Sequence, residues 1–342
     1  MLAYITWDVD PELFNLFGRE VRWYGLLWAL GILMTSIVVS RMYKYEKLPE
    51  KWFDTLFMYV VAGLIIGARL GHCLFYDPVN YLSNPIDLLK IWEGGLASHG
   101  GAIGMTVGVC LYSLKVTNKK LNWKHLGISS LIGLVAGAAS YFIYRLVTGA
   151  ESSLGLLLYQ FTFMGFFIGV CVSMVSTTHD MSIKTLDRLV IGVAIGATSI
   201  RLGNLMNSEI YGGPTTMPWG FNFVRDRMWS VPLEMGGSGG LPCHPTQIYE
   251  ALMYIIIFGL GLFLFYKTSA RQKTGLILGI SLIGIFFSRF LIEFLKNIQE
   301  PFELQMIDTI GVNMGQLLSI PFVIWGVWLI YSSTKNKEKS KI

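Results

Sequence analysis

Apolar residues fill this chain in stretches of about twenty separated by short polar connections, and about 20 helical residues are what a hydrocarbon core requires of a span. Nine stretches can be drawn, at 21–40, 54–76, 96–114, 125–147, 154–176, 187–206, 246–266, 275–295 and 316–333. They are too long and too evenly apolar for the alternating strands of a membrane barrel. The expected fold class is an all-α polytopic membrane protein with about nine transmembrane helices, residues 1–342 forming a single integral-membrane domain. The longest connection, 207–245, is rich in Gly, Pro and Trp and reads as a small looped cap with turns at Gly212-Gly213-Pro214 and Gly239-Gly240. A mildly amphipathic segment at 78–95 is expected to lie in the membrane interface.

Composition agrees: 53% of residues are hydrophobic and 14% charged, against about 25% charged in a soluble globule. The net charge of +5 raises nucleic acid or acidic lipid as partners, and its distribution excludes nucleic acid. The basic residues fall in short clusters between apolar stretches, with no stripe on a polar domain. Every second connection is basic: Arg41 to Lys51, Lys115 to Lys124, Lys184 and Arg188, Lys267 to Lys273, and the tail from Lys335. The others carry Asp8, Asp10 and Glu12, then Asp77 and Asp87, Glu151, Asp226 and Glu234, and finally Glu300, Glu303 and Asp308. Because Lys and Arg bias loops to the cytoplasm, the N-terminus should lie outside and the C-terminus inside. The start, MLAYITWDVDPELF, lacks the basic region of a cleavable signal, so the first span should be retained. Cys73, Cys110, Cys171 and Cys243 show no metal spacing and read as small buried hydrophobes.

With orientation fixed, the intramembrane polar residues acquire depths. Arg22, Tyr24, His99, His244, Gln247, Tyr249 and Glu250 stand near the outer ends of spans that start outside; Arg69, His72, Arg201, Asn204, Arg289 and Glu293 stand in the outer halves of spans that end there. An ionisable group facing lipid costs on the order of 3 kcal/mol, so these residues should face one another or water. A polar cavity open toward the outer leaflet is expected, with Glu250 and Glu293 available to the arginines. Two arginines and an asparagine suit a phosphate, because guanidinium groups bind its oxygens in a planar fork. At that depth the abundant phosphate carriers are phospholipid headgroups. A nearby histidine can take a proton from a thiol. There is no HExxH or dense acidic cluster for a metal, no GxSxG and no Walker A motif; no cofactor is expected. An outward-facing transporter or a lipid-binding protein for an anionic ligand remains an alternative, although a transporter predicts a midplane site and symmetry between halves.

Six blocks in order, VRWYGLLWALG (21–31), GGLASHGGAIG (94–104), IRLGNLMNSEIYG (200–212), HPTQIYEAL (244–252), RFLIEF (289–294) and MGQLLSIP (314–321), resemble the successive motifs of the prolipoprotein diacylglyceryl transferases. The resemblance implies an enzyme of the bacterial inner membrane, its active site toward the periplasmic leaflet. Such an enzyme moves the diacylglyceryl group of phosphatidylglycerol to the lipobox cysteine of a prolipoprotein, forming a thioether and releasing glycerol phosphate. Carried over by motif, the family's cavity residues fall on Tyr24, His99, Gly100, Arg201, Asn204, Glu209, Gly212, Arg289 and Glu293. Arg201 and Arg289 would hold the phosphate and stabilise the charge left as the glyceryl C–O bond breaks, with His99 the candidate base.

Three departures stand out. Ile200 and Ser208 occupy positions where the family commonly has Gly, and Lys296 replaces a usual arginine. Residues 115–180 insert two spans into what resembles a seven-span core with a periplasmic cap. An even number of added spans keeps the sidedness of everything after it.

Overall fold

The structure, a computed structural model, describes residues 4–16, 18–90, 95, 97–148, 154–228, 230–231, 237–297, 307 and 311–339. Among them nine helices are long and apolar enough to cross a membrane: α1 (Trp23–Tyr45), α2 (Glu50–Tyr76), α3 (Ser98–Thr117), α4 (Trp123–Thr148), α5 (Leu154–Thr177), α6 (His179–Met206), α7 (Thr246–Lys267), α8 (Leu276–Glu293) and α9 (Met314–Lys339). The chain is a multi-pass membrane protein of the all-α class. Each helix contains one of the nine expected stretches, or nearly all of it. α6 starts eight residues earlier than expected, since HDMSIKTL is polar yet continues the helix. Of the expected acidic residues, Glu151, Glu234, Glu300, Glu303 and Asp308 lie outside the described residues.

The fold divides into two compact units, Tyr43–Leu186 and Met1–Met42 with Asp187–Ile342. In the first, small residues let helices touch backbone to backbone. Gly63, Gly67 and Gly71 of α2 meet Gly100 and Gly104 of α3, and a Cβ on any of them would fall inside van der Waals contact of the facing main chain. Gly133 and Gly137 of α4 meet α5 at Gly165 and Phe161 in the same way. A short helix, Pro78–Ser83, and a 3-10 turn, Pro85–Leu89, follow α2 and expose Val79, Ile86 and Leu89. Of the amphipathic segment expected at 78–95, residues 78–90 thus form two short pieces, and 91–94 lie outside the described residues.

In the second unit α1 packs on α6 through Gly31 against Gly196, and the Thr35 hydroxyl donates to the Gly192 carbonyl at 2.7 Å. Gly279 of α8 lies against Gly326 of α9, and Phe286 stacks on Phe322 with centroids 4.2 Å apart. The cap contains structure that hydropathy did not disclose. Strand β1 (Ile5–Trp7) pairs in parallel with β4 (Phe221–Phe223), and β2 (Glu12–Leu16) pairs antiparallel with β3 (Arg19–Arg22). Tyr211, Phe221, Phe223 and Cys243 form its core with Leu205 of α6. The Trp7 indole donates to the Leu205 carbonyl at 2.9 Å, and Arg225 binds Asp8 and Asp10 at 2.7 and 2.8 Å. The N-terminal arm therefore straps the cap to the end of α6. A turn does occur at Gly239-Gly240, both with positive φ. Residues 212–214 instead run extended, bridged to Lys296 and Cys243; the nearby turn closes further along, where the Gly220 amide donates to the Met217 carbonyl.

Candidate active site

The C-terminal ends of α6 and α8 and the first turns of α7 bring ionisable side chains together in the second unit. Glu250 is 1% exposed, and its carboxylate lies 2.7 Å from Arg201 Nε and 3.0 Å from Lys296 Nζ. The Arg201 approach has the distance of an ion pair without hydrogen-bond alignment. Lys296, 4% exposed, also donates to Glu293 Oε2 at 3.1 Å, and Arg289 Nε stands 4.0 Å from the same oxygen. The result is a chain of alternating sign: Arg201, Glu250, Lys296, Glu293, Arg289. Each buried charge has an opposite neighbour, as a low-dielectric site demands.

Arg201 is fixed at several points. Its Nη1 donates to Asn204 Oδ1 at 3.2 Å, and Tyr254, one turn along α7 from Glu250, is within hydrogen-bonding reach of it. Tyr254 also lies within electrostatic reach of Arg289. Asn204 passes the network on, donating at 2.7 Å to Glu209, which also accepts from Asn207 at 3.3 Å. Gln247 donates to the Glu209 carbonyl at 2.7 Å. Tyr24, at the start of α1, packs where Gly203 leaves room and feels the charges of Glu209 and Arg201.

Backbone conformation explains several small residues. The segment after α6 turns through Ser208 at φ +54° and Ile210 at φ +60°. The left-handed region disfavours β-branched residues most. Ser208 holds one of the positions where the resemblance leads one to expect Gly, and a positive φ is the reason Gly suits it. Gly212 lies so close to Leu295 that a Cβ would overlap its carbonyl oxygen, and Gly315 makes room for Glu293, whose Cδ would sit 2.5 Å from a Cβ there.

Beside the cluster, Trp219 Nε1 donates to the Tyr249 hydroxyl at 2.8 Å, and that hydroxyl stands 3.2 Å from His244 Nδ1. Burial holds the His244 imidazole below its ordinary pKa. Burial also pushes the Cys243 thiol up to about 11, which makes it a poor nucleophile at neutral pH.

The structure thus brings Tyr24, Arg201, Asn204, Glu209, Arg289 and Glu293 into one network within the second unit, with Gly212 bridged to Lys296 at its edge. His99 and Gly100 belong to the other unit. His99 is the second residue of α3 and its side chain lies outside the described ones; Gly100 packs on Gly67 and Gly71. Arg69, also in that other unit, has partners that the sequence did not point to. Its guanidinium donates to the carbonyls of Leu88, Gly95 and Asp87 at 3.1, 3.3 and 2.6 Å, so main-chain oxygens around the 3-10 turn serve as its acceptors. Two members of the network escaped sequence reasoning. Lys296 was noticed only as a departure, and Tyr254 looked like an ordinary aromatic in a span. A signal for Tyr254 exists: Gln247, Glu250 and Tyr254 recur at the three- and four-residue spacing of one helix face.

A family model described as prolipoprotein diacylglyceryl transferase matches residues 11–154 and 117–332. A phosphatidylglycerol–prolipoprotein diacylglyceryl transferase of Porphyromonas gingivalis is 44% identical over 99% of this chain and 98% of its own. The chain belongs to the prolipoprotein diacylglyceryl transferase family. Proteins with the same description from Chloroherpeton thalassium and Bacteroides fragilis are 34% and 35% identical, again over 99% of this chain and 98% of theirs. The two stretches matched by the transferase model overlap at 117–154, inside the segment expected to be an addition to the family core.

Proposed function

We propose that this transferase moves the diacylglyceryl group of phosphatidylglycerol to the thiol of a prolipoprotein lipobox cysteine. The sulfur forms a bond to the glyceryl carbon, that carbon's bond to the phosphate oxygen breaks, and glycerol phosphate leaves with the electron pair. The observation that carries the reading is the chain of ion pairs that joins Arg201 to Arg289 through Glu250, Lys296 and Glu293. Opposed carboxylates hold the guanidinium groups without neutralising every donor, so an anionic phosphodiester can still bind. Arg201, with Asn204, grips the phosphate; Arg289 follows the charge that grows on the leaving oxygen. Tyr24, Gly100, Glu209, Gly212 and Glu293 shape the lipid site, and His99 takes the thiol proton. Resemblance supports the His99 role, and the polar network supports the arginine roles.

The alternation of basic and acidic connections supports a setting in the bacterial inner membrane, with the N-terminus and the 207–245 cap on the periplasmic side and the C-terminus in the cytoplasm. Residues 115–180 are a two-span addition to a single membrane domain that leaves this sidedness unchanged. The test is mass spectrometry of a lipobox peptide incubated with purified protein and phosphatidylglycerol vesicles. Added diacylglycerol on the cysteine is expected with the wild type. None is expected with Arg201→Ala, and slower addition with His99→Gln. An Arg201→Ala protein of full activity would refute the arginine's role.

A further inference from the structure

Asp187 is 6% exposed and lies 14 residues before Arg201 on the same helix, far from the site chemistry. Its carboxylate does not cap its own helix. Oδ2 accepts from the Gly275 amide and Oδ1 from the Leu278 amide, each at 2.7 Å. These are two of the donors that the start of α8 leaves without intrahelical partners. Gly275, at φ +86°, is the N-cap of α8 and offers no side chain for the task. An aspartate of one span therefore ends the start of another.

The consequence lies in the count along the two helices. From Asp187 to Arg201 is 14 residues, and from Gly275 to Arg289 is also 14. At 1.5 Å per residue both climb about 21 Å from the shared clamp. Contacts between the two levels show that they climb together. Ile191 of α6 meets Gly261 of α7, and Ala194 and Ala197 join Tyr254, Ile257 and Phe258 of α7 and Ile285 of α8 in one apolar cluster. Residue numbers rise on α6 and α8 and fall on α7 toward the same end, where Arg201, Glu250 and Arg289 stand. A slip of one residue at the clamp would shift one arginine about 1.5 Å along the bundle relative to the other.

We infer that Asp187 is a positioning residue: its carboxylate sets the axial register of α6 against α8 and so brings Arg201 and Arg289 to one level, where a single phosphate can reach both. This rests on the function proposed above, and the experiment separates the two. Asp187→Ala, Asp187→Asn and a control, Thr35→Val, which removes the α1–α6 hydrogen bond instead, are purified at full length. Affinity for short-chain phosphatidylglycerol and peptide-lipidation kinetics are measured beside thermal stability. Asp187→Ala should raise KM and Kd for the lipid about tenfold, because displacements near 1 Å have effects of that order or larger. Asp187→Asn, which keeps one acceptor oxygen, should fall between, and Thr35→Val should leave both constants unchanged however much stability it loses. Amide hydrogen exchange supplies a readout that needs no lipid: without the carboxylate, exchange should rise at 201–206 and 289–293 as well as at 275–278. Wild-type protein that neither binds nor transfers the lipid would overturn the proposed function alone, and exchange would still decide the register. Lipid constants unchanged in Asp187→Ala, equal changes in Thr35→Val, or an exchange response confined to 275–278 would overturn the positioning role.

Discussion

Replacing Lys296 by methionine removes an ammonium that touches two carboxylates at once. The group is 4% exposed, and its partners Glu250 and Glu293 are 1% and 11% exposed, so water offers little compensation. With the ammonium gone, Glu250 keeps Arg201 at 2.7 Å, whereas the cation left to Glu293 among the described ion pairs is Arg289 at 4.0 Å. Removing one partner from a buried ion pair costs about 3–5 kcal/mol, a large part of a total stability of about 5–15 kcal/mol. Cys243 supplies the assay. Its thiol is wholly buried in this unit, so once Cys73, Cys110 and Cys171 are replaced by alanine, a thiol-reactive dye added to detergent-solubilised protein on a heating ramp should report unfolding of this unit. Lys296→Met should melt several degrees lower and lose most transfer activity. Lys296→Arg, which keeps the charge, should remain within about 1 kcal/mol of wild type. Adding Glu293→Gln to Lys296→Met removes the stranded carboxylate and should recover more than half of the lost stability, though not the activity. A Lys296→Met protein as stable as wild type, or a double variant less stable than the two single effects combined, would refute the reading of Lys296 as the link between the carboxylates.

Gly315→Ala would put a methyl group 2.5 Å from Glu293 Cδ; displacing that carboxylate should lower kcat for peptide lipidation about tenfold with a stability loss of about 1–3 kcal/mol. Gly133→Leu has no room against the Gly165 carbonyl, so it should split the α4–α5 pair and appear as earlier proteolysis of that pair. Asp10 accepts from the Glu12 amide and then faces Arg225, and both hold its pKa below the ordinary value of about 3.9. A carboxylate with a depressed folded pKa contributes stability above its unfolded value that is lost as pH falls through the folded one. Protection of the amides along Ile5–Trp7, with exchange corrected for its intrinsic pH dependence, should therefore be flat from pH 7 to about pH 4 and fall below it; a loss of protection at pH 6 would contradict the carboxylate's part in the strap.

How much of this was legible in the sequence depends on the range of the force involved. Hydropathy found the nine helices because each span faces lipid over much of its length, and lipid imposes the same demand on every residue it touches. The cost of burying charge identified Arg201, Glu250, Arg289 and Glu293, since a charged group in a span must find a partner. It did not say which partner. Arg69 met the same test and solved it with three backbone carbonyls, a solution that depends on where a loop turns. Lys296 lies past the end of α8, where a lysine usually reaches water, so nothing local marked it as buried. The strap from Ile5–Trp7 to Phe221–Phe223 spans more than 200 residues of sequence and joins two segments too short to show a period. Ser208 is the intermediate case: resemblance flagged it as the wrong residue type, and its positive φ supplies the reason.

The two arginines are not equivalent, and the difference suggests how the site divides its work. Arg201 is 14% exposed at its side chain and is held by Glu250, Asn204 and Tyr254, three partners on two helices. In the proposed function it would hold a lipid phosphate where it arrives, with little freedom to follow it. Arg289 is 36% exposed, and among the described contacts its partner is Glu293 at 4.0 Å, beyond a hydrogen bond. Its donors are available to an oxygen whose charge increases as the C–O bond breaks, and only stabilisation that grows in this way lowers the barrier. Glu293 restrains that guanidinium, while Lys296 occupies Glu293 and keeps it from closing the remaining gap. The same lysine anchors Glu250 and hence Arg201. On the proposed function, a rigid cation for binding and a looser one for the leaving group would both be set by one buried ammonium, so the substitution at 296 is expected to weaken lipid binding and turnover together.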